Sequence, residues 1–236
     1  MSGPNHLILG ATSGPGLGVF LSLALQGGNV VGIGRTAPRV EALNALMSEH
    51  GLPGRAVAMN LDQPRNDLDE LVARADVLVS ASQAQYCTWC LGRPHSLHRV
   101  VAVSSIRLFS RFAHPLIAPI AELRAAIENG PVQGALVLTT MQTGGIGYNN
   151  LERLARLVKL SPVVPLPSSS AGALVQPIHT DDVVYCLLYC LTRLPDSKVT
   201  AVGGPDQISY STLVQRVAHS LGRRVCVALF YLPGVF

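Results

Sequence analysis

The sequence predicts an α/β protein built on a doubly wound parallel sheet, as a single domain. Three observations carry that expectation. Short aliphatic runs alternate along the chain with longer segments of helical period. These runs are apolar throughout rather than at every second residue, as in strands covered on both faces. The composition is 48% hydrophobic, 14% charged and 5% aromatic, which calls for a packed and mostly aliphatic interior. At 236 residues the chain supports one large core.

Residues 6–10 read as the first strand, running into glycines and then a helix at 17–26. Residues 29–33 make a second strand, and 39–50 a helix that Gly51 ends. A third strand at 55–59 precedes a short helix around 68–74. The fourth and fifth strands fall at 76–79 and 100–104. A helix at 116–129 stops at Gly130, and 134–139 is the sixth strand. Such alternation implies right-handed crossovers. After residue 140 the texture changes. Gly144, Gly145 and Gly147 form a loop, 151–160 a helix, and the Pro- and Ser-rich 161–172 another loop. Thr180 caps an apolar helix at 183–191, with Asp181 and Asp182 at its positive end. Residues 199–202 form a late strand, and 211–221 a helix stopped by Gly222.

The formal charge is +4, and of eighteen basic residues only Lys159 and Lys198 are lysines. The arginines form no run, so there is no nucleic-acid footprint. Arginine does suit phosphate. Five cysteines, an odd number, accompany an N-terminus without a basic-then-apolar leader. The apolar stretch at 183–191 is too short to span a bilayer. A soluble cytoplasmic protein with reduced thiols is expected.

The first strand leads directly into Gly10, Ala11, Thr12, Ser13, Gly14, Pro15, Gly16, Leu17 and Gly18, in GxxxGxG spacing before a helix. Amides at a helix N-terminus above a strand end can donate to a pyrophosphate. Gly10 would make the turn, Gly14 admit the phosphates, and Gly16 bring the helix close to the sheet. A glycine-rich βα turn of no further purpose is the alternative. Strand, turn and helix in that order make a Rossmann-type dinucleotide site the expectation. The cofactor-binding core would span about residues 1–140 and a mixed substrate lobe about 141–236. NAD sites carry an acid at the end of the second strand for the ribose 2′-hydroxyl. Here Arg35 stands there, with Arg39 a second candidate. A guanidinium binds a 2′-phosphate that a carboxylate would repel, which favours NADP over NAD. Otherwise Arg35 is a solvated strand-end residue.

On these residues the chain resembles the short-chain dehydrogenase/reductase superfamily, and its later half the extended and atypical NAD-dependent epimerase/dehydratase members. The second likeness rests on Val101-Ala102-Val103-Ser104-Ser105, on Gln176-Pro177-Ile178-His179-Thr180-Asp181-Asp182-Val183, and on Gly203-Gly204-Pro205 before a Tyr-Ser helix start. The resemblance implies that Asn60, Leu61 and Asp62 lie against adenine. It also implies that Ser80, Ala81 and Ser82 pass the cofactor ribose. Loop and cap chemistry is the alternative for both stretches. It implies that Ser105, or Ser104 beside it, holds a substrate oxygen.

The superfamily's Tyr-x-x-x-Lys proton machinery is missing. Ala155 precedes Lys159 by four positions and Leu194 precedes Lys198, and no tyrosine lies between Ser105 and Tyr148. Tyr148 or His114 could supply the proton instead, or water could, or the protein could bind cofactor without turnover. Loss of a general acid slows chemistry by roughly 10²–10⁴-fold without abolishing it. The CxxC of Cys87 and Cys90, with His95 and His98 beyond it, has the wrong spacing and setting for zinc, and no metal is expected. Cys186 and Cys190 read as buried helix residues, and His179 as a substrate contact or a satisfied imidazole. The expected function is an NADP(H)-dependent oxidoreductase or sugar-nucleotide-modifying enzyme, with a non-catalytic NADP(H) sensor or scaffold as the alternative. The partners expected are a small-molecule substrate, a nucleotide sugar among the options, and a second copy in a homodimer.

Overall fold

A computed structural model of the chain describes residues 3–63, 66–145 and 149–231. The chain begins with β1 (Asn5–Leu9), α1 (Gly14–Leu25), β2 (Asn29–Gly34), α2 (Ala37–Glu49) and β3 (Arg55–Ala58). It continues through α3 (Asn66–Ala73), β4 (Val77–Ser80), α4 (Ala84–Leu91), β5 (Arg99–Ser105), α5 (Ile117–Asn129) and β6 (Gln133–Thr139). Then come β7 (Gln142–Thr143), α6 (Asn149–Leu160), β8 (Val163–Pro167), α7 (Ser168–Ala171), β9 (Leu174–Val175) and β10 (Ile178–His179). Last are α8 (Thr180–Thr192), β11 (Val199–Val202), β12 (Ile208–Ser209), α9 (Tyr210–Ser220) and β13 (Cys226–Phe230).

Seven strands form one sheet in the order β11-β6-β5-β4-β1-β2-β3, and every neighbouring pair is parallel. The expected doubly wound α/β fold is therefore present. The aliphatic runs explain it: Leu7, Ile8 and Leu9 in β1, Leu78 in β4, and Leu136 and Leu138 in β6 are all at most 1% exposed. Full burial of each such side chain contributes about 1.5–3 kcal/mol before entropy is charged against it. Strand order reverses between β1 and β4, so the chain leaves those two strands in opposite directions and opens a crevice at their C-terminal ends.

The chain divides into two units, Met1–Thr139 with Thr180–Val202, and Thr140–His179 with Gly203–Phe236. Residues 180–202, grouped by sequence with the later lobe, thus return to the sheet, where β11 pairs with β6. The second unit has its own core, centred on Val158, Val164 and Val214.

Three local differences from the sequence reading have physical causes. Residues 163–167 form a strand, not a loop. Val164 and Leu166 are buried while Val163 and Pro165 face out, and a strand that pairs, among the described residues, only with β13 tolerates proline on its open side. Helix α4 occupies a stretch to which the sequence reading assigned no element, and it buries Ala84, Cys87 and Cys90 at three-residue spacing. Helix α8 begins at Thr180 itself rather than beyond it. No helix among the described residues is long and apolar enough to cross a membrane.

Candidate functional site

The site is built at the turn between β1 and α1. Gly10 and Ala11 both donate to the Ile33 carbonyl at 2.9 Å, pinning the turn to the end of β2. Gly10 has φ +84° and Gly14 φ +50°, conformations in which a side chain is strained. A Cβ on Gly10 would also lie 2.6 Å from the Ala81 carbonyl oxygen. A Cβ on Gly16 would lie 2.8 Å from the Gly10 carbonyl carbon and 3.0 Å from the Ala81 Cβ. The first turn of α1 therefore sits directly on the ends of β1 and β4, and only glycine permits that approach.

Leu17 is the first residue of α1 whose amide reaches back, to the Ser13 carbonyl at 3.2 Å. Helical geometry gives the earlier amides of Gly14 and Gly16 no acceptor within α1, and Pro15 has no N–H. Ser13 stands at the N-cap without a side-chain bond to the helix. Unspent amides at the positive end of a helix are an anion site in waiting.

Beside this turn opens a cleft of about 230 Å³, contained within the sheet-bearing unit. Its walls come from the ends of four strands: Gly10, Thr12 and Ser13 after β1, and Arg35, Thr36 and Arg39 after β2. Asn60, Leu61 and Asp62 follow β3, and Ala81, Ser82, Gln83 and Tyr86 follow β4. Ile33 and Met59 add apolar surface. Most of the residues expected to hold a cofactor are thereby brought together. Gly14, Pro15 and Gly16 are buried beside the turn rather than lining the cleft. Ser80 is 1% exposed and shares a 3.3 Å hydroxyl contact with Ser82, which does face the cleft.

Charge in the cleft is asymmetric. Arg35 and Arg39 are both exposed, and neither is ion-paired among the described residues. The carboxylate present, Asp62, accepts a hydrogen bond from the Tyr86 hydroxyl and donates its own N–H to the Asn60 side chain at 3.1 Å. Tyr86 was not anticipated from sequence. The spacing of Ala84, Cys87 and Cys90 was the available signal for the helix that carries it.

Ser105 ends β5, and its Oγ accepts from the Arg107 N–H at 3.2 Å, capping a 3₁₀ turn at Ile106–Phe109. Tyr148 lies outside the described residues. Neither lysine is placed for the missing pair. Lys198 donates to the carbonyls of Ile127 at 3.3 Å and Glu128 at 3.0 Å, closing the C-terminus of α5, and Lys159 is exposed on α6. On α5, Arg124 is spent on Glu128 at 2.9 Å. Cys87 and Cys90 are buried in the core, and burial pushes the Cys87 thiol far above its usual pKa, so it stays protonated. No group of three or more His, Cys, Asp or Glu side chains suited to a metal ion occurs among the described residues. In the second unit, His179 packs against Gly144.

No family model and no curated protein matches the chain by sequence. Solved structures do match its backbone. UDP-glucose 4-epimerase of Thermotoga maritima, with UDP-glucose, aligns at a TM-score of 0.77 and 11% identity over 98% of this chain and 87% of that one. UDP-glucose-4-epimerase of Stenotrophomonas maltophila, with NAD and formylated UDP-arabinopyranose, gives 0.73 and 16% over 99% and 88%. A dTDP-glucose 4,6-dehydratase double mutant of Streptomyces venezuelae, with NAD bound, gives 0.72 and 16% over 98% and 88%. At such identities the likeness concerns the backbone, and on that ground the chain has the Rossmann-type fold of the NAD-dependent epimerases and dehydratases.

Proposed function

We propose that the cleft binds a nicotinamide dinucleotide, NADP(H) ahead of NAD(H), and that the protein is an oxidoreductase or a sugar-nucleotide-modifying enzyme that works without the Tyr–Lys pair. The observation that carries this reading is the first turn of α1, seated on β1 and β4 with the Gly14 and Gly16 amides unspent. A pyrophosphate satisfies those amides and the helix dipole together. Arg35 and Arg39, free of carboxylate partners among the described residues, would take a 2′-phosphate. Leu61 and Asp62 would face the adenine, and Ala81 and Ser82 the ribose. Asn60 shapes that wall by bonding the Asp62 amide.

When bound, the cofactor would supply or accept the hydride. Ser105 would hold a substrate oxygen: its Oγ accepts from Arg107, and the hydroxyl proton remains to donate. Tyr148 remains our candidate for moving the proton. The substrate class, a nucleotide sugar, is supported by the ligands named for the structurally similar epimerases. One observation favours a second reading, a dinucleotide sensor or scaffold without turnover: Lys198 is committed to α5 and Lys159 lies exposed on α6.

Titration with NADPH and NADH, followed by fluorescence of the reduced nucleotide, tests the cofactor reading. Tighter NADPH binding, lost in Arg35→Ala, is expected. Equal affinity for both nucleotides in the parent defeats the NADP preference. Turnover against aldehyde, quinone and nucleotide-sugar panels then separates enzyme from sensor.

A further inference from the structure

The cleft contains a contact for which a plain dinucleotide site has no need. Asp62 is exposed at the end of β3, on a turn in which its own amide bonds the Asn60 side chain at 3.1 Å and the Gln63 amide bonds the Asn60 carbonyl at 3.2 Å. An exposed carboxylate on such a turn would ordinarily sample several rotamers. Here one of its oxygens, Oδ1, accepts from the Tyr86 hydroxyl. Tyr86 is only 7% exposed and belongs to the first turn of α4, where its amide bonds the Gln83 carbonyl at 3.1 Å. The same helix is anchored in the core by Ala84, Cys87 and Cys90. The phenol thus approaches from a rigid element and reaches across 24 residues of sequence to a carboxylate on the opposite wall.

We propose that Tyr86 is a positioning residue that sets the cleft's choice of purine: it fixes the Asp62 carboxylate through Oδ1 and leaves Oδ2 to accept from an exocyclic amino group. The proposal rests on the dinucleotide reading above. An ionised carboxylate only accepts hydrogen bonds. A 6-amino purine presents a donor to it, whereas a 6-oxo purine presents an oxygen, and two acceptors face to face repel. Met59, Leu61 and Ile33 line the same cleft and supply apolar surface for either ring, so they do not discriminate. Discrimination therefore depends on the carboxylate staying in one place, which is what the phenol enforces.

The test uses the full chain and two probes, NADPH and reduced nicotinamide hypoxanthine dinucleotide phosphate, titrated calorimetrically into the parent, Tyr86→Phe and Asp62→Asn. The parent should prefer the adenine form by about tenfold, the low end for a hydrogen bond to a charged group in a partly open site. Tyr86→Phe keeps the ring that fills its buried position. It should bring the preference to within about threefold while both nucleotides still bind. Asp62→Asn changes only an exposed side chain and can donate to a 6-oxo group, so it should remove or invert the preference. Because the readout is a ratio of two affinities in one variant, a general loss of stability does not move it. If both nucleotides bind the parent but it does not discriminate, or if Tyr86→Phe keeps the parent's ratio, the role of Tyr86 is refuted and the dinucleotide reading stands. If neither nucleotide binds the parent, both fall.

Discussion

Substituting Gly16 by alanine probes the cradle with a single methyl group. The added Cβ would lie 2.8 Å from the Gly10 carbonyl carbon and 3.0 Å from the Ala81 Cβ, where ordinary contact begins at 3.4 Å. One of these neighbours is a backbone atom of the turn and the other a Cβ fixed to the backbone, so neither can rotate away. Relief requires α1 to lift, by an amount on the order of 1 Å, a displacement of the size that degrades a positioned site by about 10²-fold. Overpacking costs about 1–3 kcal/mol, and replacing glycine within a helix returns up to about 1 kcal/mol. The expected net loss of about 1–2 kcal/mol lowers Tm by about 2–8 °C. Binding should suffer more than folding. Each amide-to-phosphate hydrogen bond is worth about 1.5–3 kcal/mol, so loss of one or two raises the dinucleotide Kd by about 10–100-fold or more. Fluorescence titration and thermal melting measure the two effects separately. Gly172→Ala, where the new Cβ meets nothing within 4 Å, serves as the control. A Gly16→Ala protein that melts and binds like the parent refutes the claim that this helix start is seated against the turn to hold a phosphate.

Other consequences follow from single contacts. Arg35→Ala and Arg39→Ala should each weaken NADPH by about tenfold and leave NADH nearly unchanged, read as the ratio of the two Kd values. Lys198→Met removes the donor that closes α5 and should cost about 1 kcal/mol, lowering Tm by about 2–4 °C. The same variant should leave dinucleotide affinity and any turnover intact; a selective loss of turnover would return Lys198 to the chemistry. Burial holds the His6 imidazole below its usual value of 6.5, with the Asn29 and Pro4 backbone groups opposing only in part. Above pH 6.5 both folded and unfolded chains carry His6 neutral. As pH falls through that value, the unfolded chain takes up the proton first, so stability declines toward the lowered folded value. His6→Gln should therefore show a shallower loss of Tm between about pH 7 and pH 5 than the parent, and parallel curves would contradict this.

The sheet was legible in the sequence because parallel strands covered on both faces must be continuous aliphatic runs, and Leu7-Ile8-Leu9 and Val100-Val101-Ala102-Val103 are such runs. The turn was legible because its glycines carry geometric demands that no other residue meets. What escaped has equally concrete reasons. Helix α4 is written in Cys, Thr and Trp, with no acid in its first turn, so propensity does not announce it. Tyr86 went unseen with it, since its partner Asp62 is 24 residues away in sequence and adjacent only in the fold. Prolines at 165 and 167 mask β8, which survives as a strand because it pairs on one side with β13. The return of residues 180–202 to the sheet depends on β11 finding β6, a pairing between distant segments that local pattern does not encode. The proposed catalytic residues were the least legible: the resemblance implies a serine at Ser105, and the chain has no tyrosine and lysine at the spacing the resemblance requires.

The most direct test follows the backbone amides of the first crossover by ¹⁵N–¹H NMR as NADPH is added to the intact protein. Occupancy of the cradle should move the Thr12, Ser13, Gly14 and Gly16 amides downfield in step with saturation, while the Gly10 and Ala11 amides, already bonded to Ile33, shift little. Saturable binding that leaves Gly14 and Gly16 where they began would contradict the account.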